Sequence, residues 1–519
     1  MKPYIPAWRN TLVILCLALV LGACAVNPVT GKNELAFVPE ATEISMGAEQ
    51  YGPGRQMQGG DYTTHPEIVE YVRSVGQRLA AVSDRALPYE FHVINDGTPN
   101  AWALPGGKIA INRGLLTELK SEAELAAVLA HEIVHSAARH GAKNMERGLL
   151  LQGAVLATSI ATSNSEYAGL ATGGAGMAAQ LLTHKYSRSA ELEADYYGMH
   201  YMARAGYDPQ AAVELQRTFV RLSEGRQSNW LEGLFSTHPP SMERVEANMR
   251  TAAELGRGGE IGTERYAQKM APLLRDQPAY EKYVQGREAL NAGNMDKALV
   301  LAEEALALQP KEPLFHSLRG DIRLKQGRYK DAITNFDRAL ALDDSYFHYY
   351  LQRGLAYEKL GNPQLAQADL QRSTQYLPTA PALNELGQLA LKQGNSSEAK
   401  EYFAAAASSD SAAGQAAKRA LVRLDIGDNP HKYISLGGGL GTHGYLMLQI
   451  QNETEIPLTA MHIQINYVDS NANRRRATLE VNSVLPGRGK IQLSTNIGPL
   501  SSLKNVEAKI LGASVAEKT

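Results

Sequence analysis

Ser121-Glu122-Ala123-Glu124-Leu125-Ala126-Ala127-Val128-Leu129-Ala130-His131-Glu132-Ile133-Val134-His135 reads as one helix with marked ends. Ser121 is placed to cap it, Glu124 three positions on to close a capping box, and Gly141 to supply a left-handed stop. Leu125, Val128, Leu129 and Ile133 recur at helical spacing, so the helix is expected inside a domain, with an apolar stripe against its core. His131 and His135, four residues apart, lie one turn up and about 40° around, with imidazoles projecting side by side as a two-nitrogen claw for a metal. Glu132 is rotated about 100° from His131, outside the claw but within reach of a water held by the ion. That is the position of a general base.

The chain around this helix has 519 residues, 44% hydrophobic and 20% charged, enough for two to four domains with real cores. A formal net charge of -2 provides no electrostatic footprint for nucleic acid, which is set aside as a partner.

Lys2 and Arg9 precede an apolar run from Leu12 to Leu21, and Leu21-Gly22-Ala23-Cys24 follows. This is a targeting segment, about half the length needed to span a bilayer. Its end resembles the lipobox of bacterial lipoproteins, which implies residues 1–23 as a signal peptide and Cys24 as a lipidated, membrane-anchoring terminus. Ala25 rather than an aspartate after that cysteine implies sorting to the outer membrane. The other cysteine, Cys16, leaves with the signal, so no disulfide is expected. Residues 24–39, with the turn-rich Asn27-Pro28-Val29-Thr30-Gly31-Lys32, read as a tether.

From residue 40 the pattern is globular. Ile68, Val72, Val75 and Leu79 mark a helix, and Glu90-Phe91-His92-Val93-Ile94 a strand ended by Asn95-Asp96-Gly97. Asn100-Ala101-Trp102-Ala103-Leu104 and Lys108-Ile109-Ala110-Ile111-Asn112 flank Pro105-Gly106-Gly107 as a hairpin. Its free edge beside the metal helix could pair with an extended substrate, which makes Asn100, Ala101 and Trp102 candidate substrate-binding residues. Gly148 to Leu182, crowded with small residues, is expected as closely packed helices or a flap over the site, with contact to a bilayer surface as the alternative.

A third ligand is offered by Ser187-Arg188-Ser189-Ala190-Glu191-Leu192-Glu193-Ala194-Asp195. On a helix Glu191 and Asp195 share a face and Glu193 points elsewhere, although spacing alone does not exclude Glu193. Glu191 could complete the metal shell with Asp195 as an outer carboxylate. Ala190 and Ala194 are small enough to let the two helices approach.

Taken together, His131-Glu132-x-x-His135, Arg139-His140, Glu191-x-x-Ala194-Asp195 and the 100–107 segment resemble the zinc metallopeptidase family that includes HtpX, the CAAX prenyl endopeptidases, LoiP and BepA. The resemblance covers residues 40 to 255 and is greatest to BepA-like periplasmic members carrying tetratricopeptide repeats. It implies one Zn2+ per subunit, Glu191 as the third ligand, and Asp195 as a second catalytic carboxyl beside Glu132. Thr237-His238-Pro239-Pro240, followed by Arg244, matches a Ser/Thr-His-Pro segment of the family, which implies His238 as a switchable fourth ligand that holds the enzyme at rest. Metzincins are excluded, because they need a histidine where this chain has Gly141.

Past residue 270 the period changes. Gly293, Gly327, Gly361 and Gly394 recur at intervals of 34, 34 and 33 residues, with Ala298, Ala332, Ala366 and Ala399 in phase. That period is the signature of tetratricopeptide repeats, stacked helix pairs with a concave docking face. From Lys432 the pattern is alternation, in Tyr445–Ile450, Met461–Tyr467, Thr478–Val484, Lys490–Ser494 and Val506–Leu511.

The expected architecture is therefore multidomain. A mainly helical α+β, gluzincin-like zinc peptidase domain spans 40–260, an α-solenoid of tetratricopeptide repeats 270–428, and a small all-β sandwich-like domain 432–519. The expected function is a lipid-anchored endopeptidase on the periplasmic face of the bacterial outer membrane, degrading unfolded or misassembled outer-membrane proteins. Its repeats would dock clients or the barrel-assembly machinery. The alternative is a non-enzymatic periplasmic chaperone or scaffold with a vestigial zinc site.

Overall fold

The computed structural model describes residues 24–146, 185–224 and 232–516. The apolar run at 12–21 and the small-residue stretch 148–182 lie outside the described residues. Among the described residues no helix is long and apolar enough to cross a membrane. The chain forms two compact units, one running to residue 362 with 375–377, the other comprising 363–374 and 378 onward.

In the first unit, β1 (Cys24–Val26) and β2 (Asn33–Leu35) pair as an antiparallel hairpin. This is the segment expected as a tether, and the structure corrects that expectation. Asn27 Oδ1 accepts from the backbone N–H groups of Val29 (2.9 Å) and Thr30 (3.0 Å), while its Nδ2 donates to the Ala138 carbonyl at 3.0 Å. Val29 is buried in the main core. One buried amide thus closes the turn and fastens it to the end of the metal helix.

Helices α1 (Glu40–Met57) and α2 (Pro66–Ala80) follow, and α2 buries Ile68, Val72, Val75 and Leu79. Strands β3 (Glu90–Ile94), β4 (Ala101–Leu104) and β5 (Lys108–Asn112) form a sheet of order β3-β5-β4. The central β5 pairs parallel with β3 and antiparallel with β4, so β4 is an edge. Period-2 alternation sends Ala101 and Ala103 into the main core, and Trp102 and Leu104 to a second cluster with Tyr51 of α1.

The metal helix α3 (Glu122–Ala137) is capped by Ser121, whose Oγ accepts from the Glu124 N–H at 3.2 Å. The reciprocal bond of the expected capping box falls one residue earlier, on the Lys120 N–H at 2.6 Å. Every residue of α3 is buried, a wider burial than its apolar stripe predicts. Alanines on its remaining faces let neighbours close in from all sides. The left-handed stop is at Arg139 (φ 63°), not at Gly141. Bonds of the Arg139 guanidinium to Glu43, the Val38 carbonyl and Glu146 hold that residue in the unfavourable region. Gly141 instead allows a close pass, since a Cβ there would lie 3.3 Å from Pro105.

Helices α4 (Arg188–Arg204), α5 (Gln210–Glu224), α6 (Glu232–Thr237), α7 (Met242–Leu255) and α8 (Thr263–Asn291) complete this part. The change of periodicity between 260 and 270 is not a seam in the structure. Glu312, at the start of a repeat helix, is fully buried and accepts from Thr64 Oγ1 (2.6 Å), Asn95 Nδ2 (2.9 Å) and Tyr280 (2.5 Å). Gln56 of α1 likewise donates to the Ser345 carbonyl and accepts from the Phe347 N–H, both at 2.8 Å. The first repeats share the core of the preceding domain. Gly293, Gly327, Gly361 and Gly394 all have φ between 73° and 81°. The 34-residue period therefore marks a left-handed turn that glycine makes cheaply.

The second unit continues the helix pairs through Ala380–Lys392 and Ser396–Ala406 to a last helix, Ala412–Asp425. Strands β6 (Ile434–Leu440), β7 (Leu446–Asn452), β8 (Leu458–Val468), β9 (Arg474–Val481), β10 (Lys490–Ser494) and β11 (Glu507–Val515) make two antiparallel sheets, β10-β7-β6 and β11-β8-β9. Their inner faces share one apolar core, as a sandwich requires. Strand β6 escapes an alternation reading because Gly437-Gly438-Gly439 carry no pattern.

Asp425 ties the last helix to the β domain through Lys400 (3.1 Å), Asn429 (2.9 Å), Lys432 (3.2 Å) and Tyr433 (3.0 Å). Burial opposes its ionisation, but these four donors outweigh it and hold the carboxyl down at about 2. A depressed carboxylate stabilises the fold above its unfolded pKa near 4, and that contribution disappears as pH falls through about 2. Asp425→Asn is expected to cost about 1–2 kcal/mol at pH 7, a gap that shrinks below pH 4 and closes only below pH 2, read as a melting-temperature difference that narrows on acidification.

Candidate active site

Four side chains from three elements meet at the C-terminal half of α3. His131 and His135 present their Nε2 atoms to each other at 3.0 Å. Glu191, in the first turn of α4, brings Oε1 within 3.4 Å of His135 Nε2 and Oε2 within 3.5 Å of His131 Nε2. His238 follows α6, with its N–H on the Leu234 carbonyl, and places Nδ1 3.4 Å from His131 Nε2 and 3.1 Å from Glu191 Oε1. Gly198 lets α4 come this near, because a Cβ there would lie 3.2 Å from the His131 nitrogen.

These separations can be tested against an ion. Donors bonded tetrahedrally to Zn2+ at about 2.0–2.1 Å are about 3.3 Å apart. The observed edges bracket that value, and the four donor atoms lie within 4.8 Å of one another. The outward imidazole nitrogens are engaged elsewhere, which turns the inward lone pairs to the centre. His131 Nδ1 donates to Asp195 Oδ1 at 2.9 Å. His135 Nδ1 donates to His140 Nδ1 at 2.9 Å, and His140 Nε2 in turn donates to Glu193 at 3.0 Å. These tautomers follow from the network, since only they leave both Nε2 atoms unprotonated. The donor set fits a divalent cation.

Charge supports the same fit. Burial works against ionised Glu191, yet the surrounding histidines hold it well below the usual carboxylate range. Burial alone would depress His131, but Asp195 and Glu191 favour positive charge at that imidazole, the same charge a bound cation would supply. His135, with weaker compensation for its burial, is held well down. Two carboxylates thus concentrate negative potential where positive charge is to sit.

Glu132 stands apart from the claw. Its Oε1 lies 3.5 Å from His238 Nε2, its buried Oε2 has no hydrogen-bond partner among the described residues, and burial pushes its carboxyl up. A carboxyl raised in this way, facing the ligands, is suited to take and return a proton.

Two contributions were not legible in advance. Arg244, third residue of α7 after the capping Ser241, is buried and grips Asp195 with Nε and Nη2, both at 2.7 Å, while Nη1 lies 2.8 Å from Glu191 Oε2. Its place in the Thr237–Arg244 segment was visible, its target was not. Tyr186 stacks on His135, ring centroids 3.9 Å apart at 26°, and nothing in its sequence context marks it. Glu193, left open by spacing, is directed to His140 and away from the centre. Trp102 has a buried indole that donates to Gln58 at 2.9 Å on the face of the sheet away from the main core, and the Asn100 Oδ1 is buried without a partner among the described residues.

A buried His-Glu-x-x-His helix, a carboxylate on a second helix and a free base at the centre define a metallopeptidase domain. Residues 66–251 match the model of peptidase family M48. Residues 320–361 and 351–425 match tetratricopeptide repeats. The chain is 29% identical over 347 residues to the beta-barrel assembly-enhancing protease of Yersinia pestis, covering 61% of this chain and 70% of that one. With the protein of the same description from Escherichia coli K12 it shares 28% over 412 residues, 70% of this chain and 82% of the relative. The mitochondrial metalloendopeptidase OMA1 of Schizosaccharomyces pombe is 39% identical over 184 residues, 35% of this chain, which spans about half (52%) of that relative.

Proposed function

We propose that this chain is a zinc-dependent endopeptidase of the bacterial cell envelope that degrades misfolded or misassembled outer-membrane proteins. The observation that carries the reading is the cluster of donors formed by His131, His135, Glu191 and His238, beside which Glu132 Oε2 is buried with no hydrogen-bond partner among the described residues. Similarity to proteases described as enhancing β-barrel assembly supports the substrate class and a role for the repeats in docking clients or the assembly machinery. Lipidation at Cys24 would seat the hairpin β1–β2, and with it the end of the metal helix, at the periplasmic face of the outer membrane.

His131, His135 and Glu191 would hold the zinc ion, which when bound supplies the Lewis acidity that polarises a scissile carbonyl and acidifies water. Glu132 takes the proton from the attacking water and returns it to the leaving amine. Asp195 acts through His131: both its oxygens are committed to that imidazole and to Arg244, so it orients a ligand rather than moving a proton. His140 and Glu193 do the same for His135. Ser136 Oγ donates to the Leu104 carbonyl at 2.9 Å, which fixes β4 alongside α3. The strand edge from Asn100 to Trp102 is buried here and would have to be uncovered to pair with an extended substrate, while the Trp102 indole serves the fold.

The reading is tested by assaying the full chain for bound zinc and for cleavage of an unfolded outer-membrane protein, with activity lost to a chelator and regained on adding zinc. Zinc-free protein that nonetheless protects such clients in cells would favour the scaffold alternative. His238, near the ligands through Nδ1, fits a resting fourth ligand that excludes water. His238→Ala is therefore expected to raise basal proteolysis several-fold with zinc content unchanged; equal rates and equal regulation would sink the switch.

A further inference from the structure

Among the described residues each sheet of the β domain has three strands and so leaves two edges, β10 and β6 in one, β11 and β9 in the other. Three of these edges are guarded in the ways that keep strands from pairing with the wrong partner. Strand β9 carries Arg474, Arg475, Arg476 and Glu480. Strand β11 carries Glu507 and Lys509 and breaks register twice, after Ile510 and after Gly512, and β10 is five residues long and opens on Lys490. Strand β6, Ile434-Ser435-Leu436-Gly437-Gly438-Gly439-Leu440, has no charge, no proline and an unbroken register against β7. Its free side is set by the ladder. The Leu446 and Asn452 N–H groups turn towards β10, onto the carbonyls of Ile497 (2.8 Å) and Gly489 (2.9 Å). Alternation then turns Met447, Gln449 and Gln451 towards β6, where they face Gly439, Gly437 and Ser435. Leu436, Gly438 and Leu440 therefore point their N–H and C=O groups away from the sheet.

The two faces beside that edge differ. On the inner face Leu436, Gly438 and Leu440 lie opposite the buried Ile450, Leu448 and Leu446 and form an apolar row with a gap at the glycine, and Leu440 is 41% exposed. On the outer face Ser435, Gly437 and Gly439 offer almost no side chain, and the row ends at a hollow of about 580 Å³ with Thr442, His443, Gln492, Ser494 and Asn496 in its walls. A strand added here finds apolar contact on one face, and room with polar groups on the other. We propose that β6 docks an extended segment of an unassembled β-barrel client as a fourth strand of its sheet, bound through backbone hydrogen bonds and an alternation of apolar and polar side chains. Strands of membrane barrels have that alternation, and they lack partners until the barrel closes. A second copy of β6 is a poorer occupant. Antiparallel pairing about Gly438 sets the glycines of one strand against those of the other and leaves no side-chain pairs across the middle. An aromatic side chain opposite Gly438 instead covers the gap in the apolar row. The client class rests on the endopeptidase reading, whereas the open edge stands on the β domain alone.

The test measures binding of a labelled seven-residue peptide, the length of β6, that alternates Thr with Val around one central Tyr, to the full-length chain carrying Glu132→Gln, which spares the probe from cleavage. Hydrogen exchange is expected to slow across 434–440 on binding and to stay unchanged in β9, β10 and β11. N-methylation of every second residue, which removes donors and keeps side chains, should weaken binding at least about tenfold. Gly438→Pro removes an outward N–H that the β6–β7 ladder does not use, a change edge strands tolerate, and Leu440→Lys puts a charge at an exposed position. Each is expected to weaken peptide binding about tenfold and, with Glu132 intact, to slow cleavage of an unfolded outer-membrane protein. Protection outside 434–440, or equal affinity for the N-methylated peptide, would overturn the dock. So would an unfolded outer-membrane protein cut at the parent rate by both variants, which leaves the endopeptidase reading standing. A dimer that Gly438→Pro dissociates would give the edge to a second copy and overturn the client. A peptide held at 434–440 by a chain that cuts nothing would uphold the dock and overturn the endopeptidase reading.

Discussion

Glu132→Gln is expected to lower peptide hydrolysis about 10³-fold while bound zinc and melting temperature stay at wild-type values. The amide keeps the shape of the carboxyl, and Glu132 lies outside the donor cluster of His131, His135, Glu191 and His238, so nothing that holds the ion is removed. What is lost is a group able to take a proton at one step and return it at the next. Burial raises the Glu132 carboxyl, and its Oε2 has no partner among the described residues to compete for that proton. Single-turnover cleavage of an unfolded outer-membrane protein, with zinc measured on the same sample, checks the expectation. A variant that lost zinc in proportion to activity would assign Glu132 to metal retention instead.

Arg244→Met is expected to be the most destabilising single change at the site. The guanidinium holds Asp195 through two bonds of 2.7 Å and lies 2.8 Å from Glu191, all three side chains being buried. Removing it leaves two buried carboxylates without their countercharge, which costs about 3–5 kcal/mol. It also frees Asp195 from its role behind His131, so zinc affinity should fall about 10- to 100-fold. Urea denaturation and competition with a zinc chelator measure the two effects separately. Arg244→Lys, which keeps charge but not the two-pronged geometry, should recover part of the stability and less of the affinity. A methionine variant as stable as the parent would show that the ion pair is neutral to folding.

Much of the centre was readable because helical geometry is local. His131, Glu132 and His135 lie within five residues, and Glu191 and Asp195 share a face of another helix, so a 3.6-residue period fixes their relations before any packing occurs. The repeat glycines were readable for the same reason, each marking a left-handed turn that recurs with the helix pairs. Where that logic was carried beyond the period it slipped. Gly141 has the right residue type for a stop, but long-range bonds from Glu43 and Val38 put the left-handed residue at Arg139. Residues 24–39 have the composition of a linker, yet one amide to Ala138 docks them.

The sequence by itself determined the side-by-side placement of His131 and His135 with Glu132 between them, the shared face of Glu191 and Asp195, and the repeat array, since each is a pattern between near neighbours along the chain. Only the tertiary structure decided that His238 reaches the donor cluster, that Arg244 locks Asp195, that His140 backs His135, and that Trp102 packs with Tyr51 on the sheet face away from the main core. Those pairs are brought together by packing of α3, α4, α6 and α7 around a shared core, and residue spacing carries no information about which of many distant groups that packing will join.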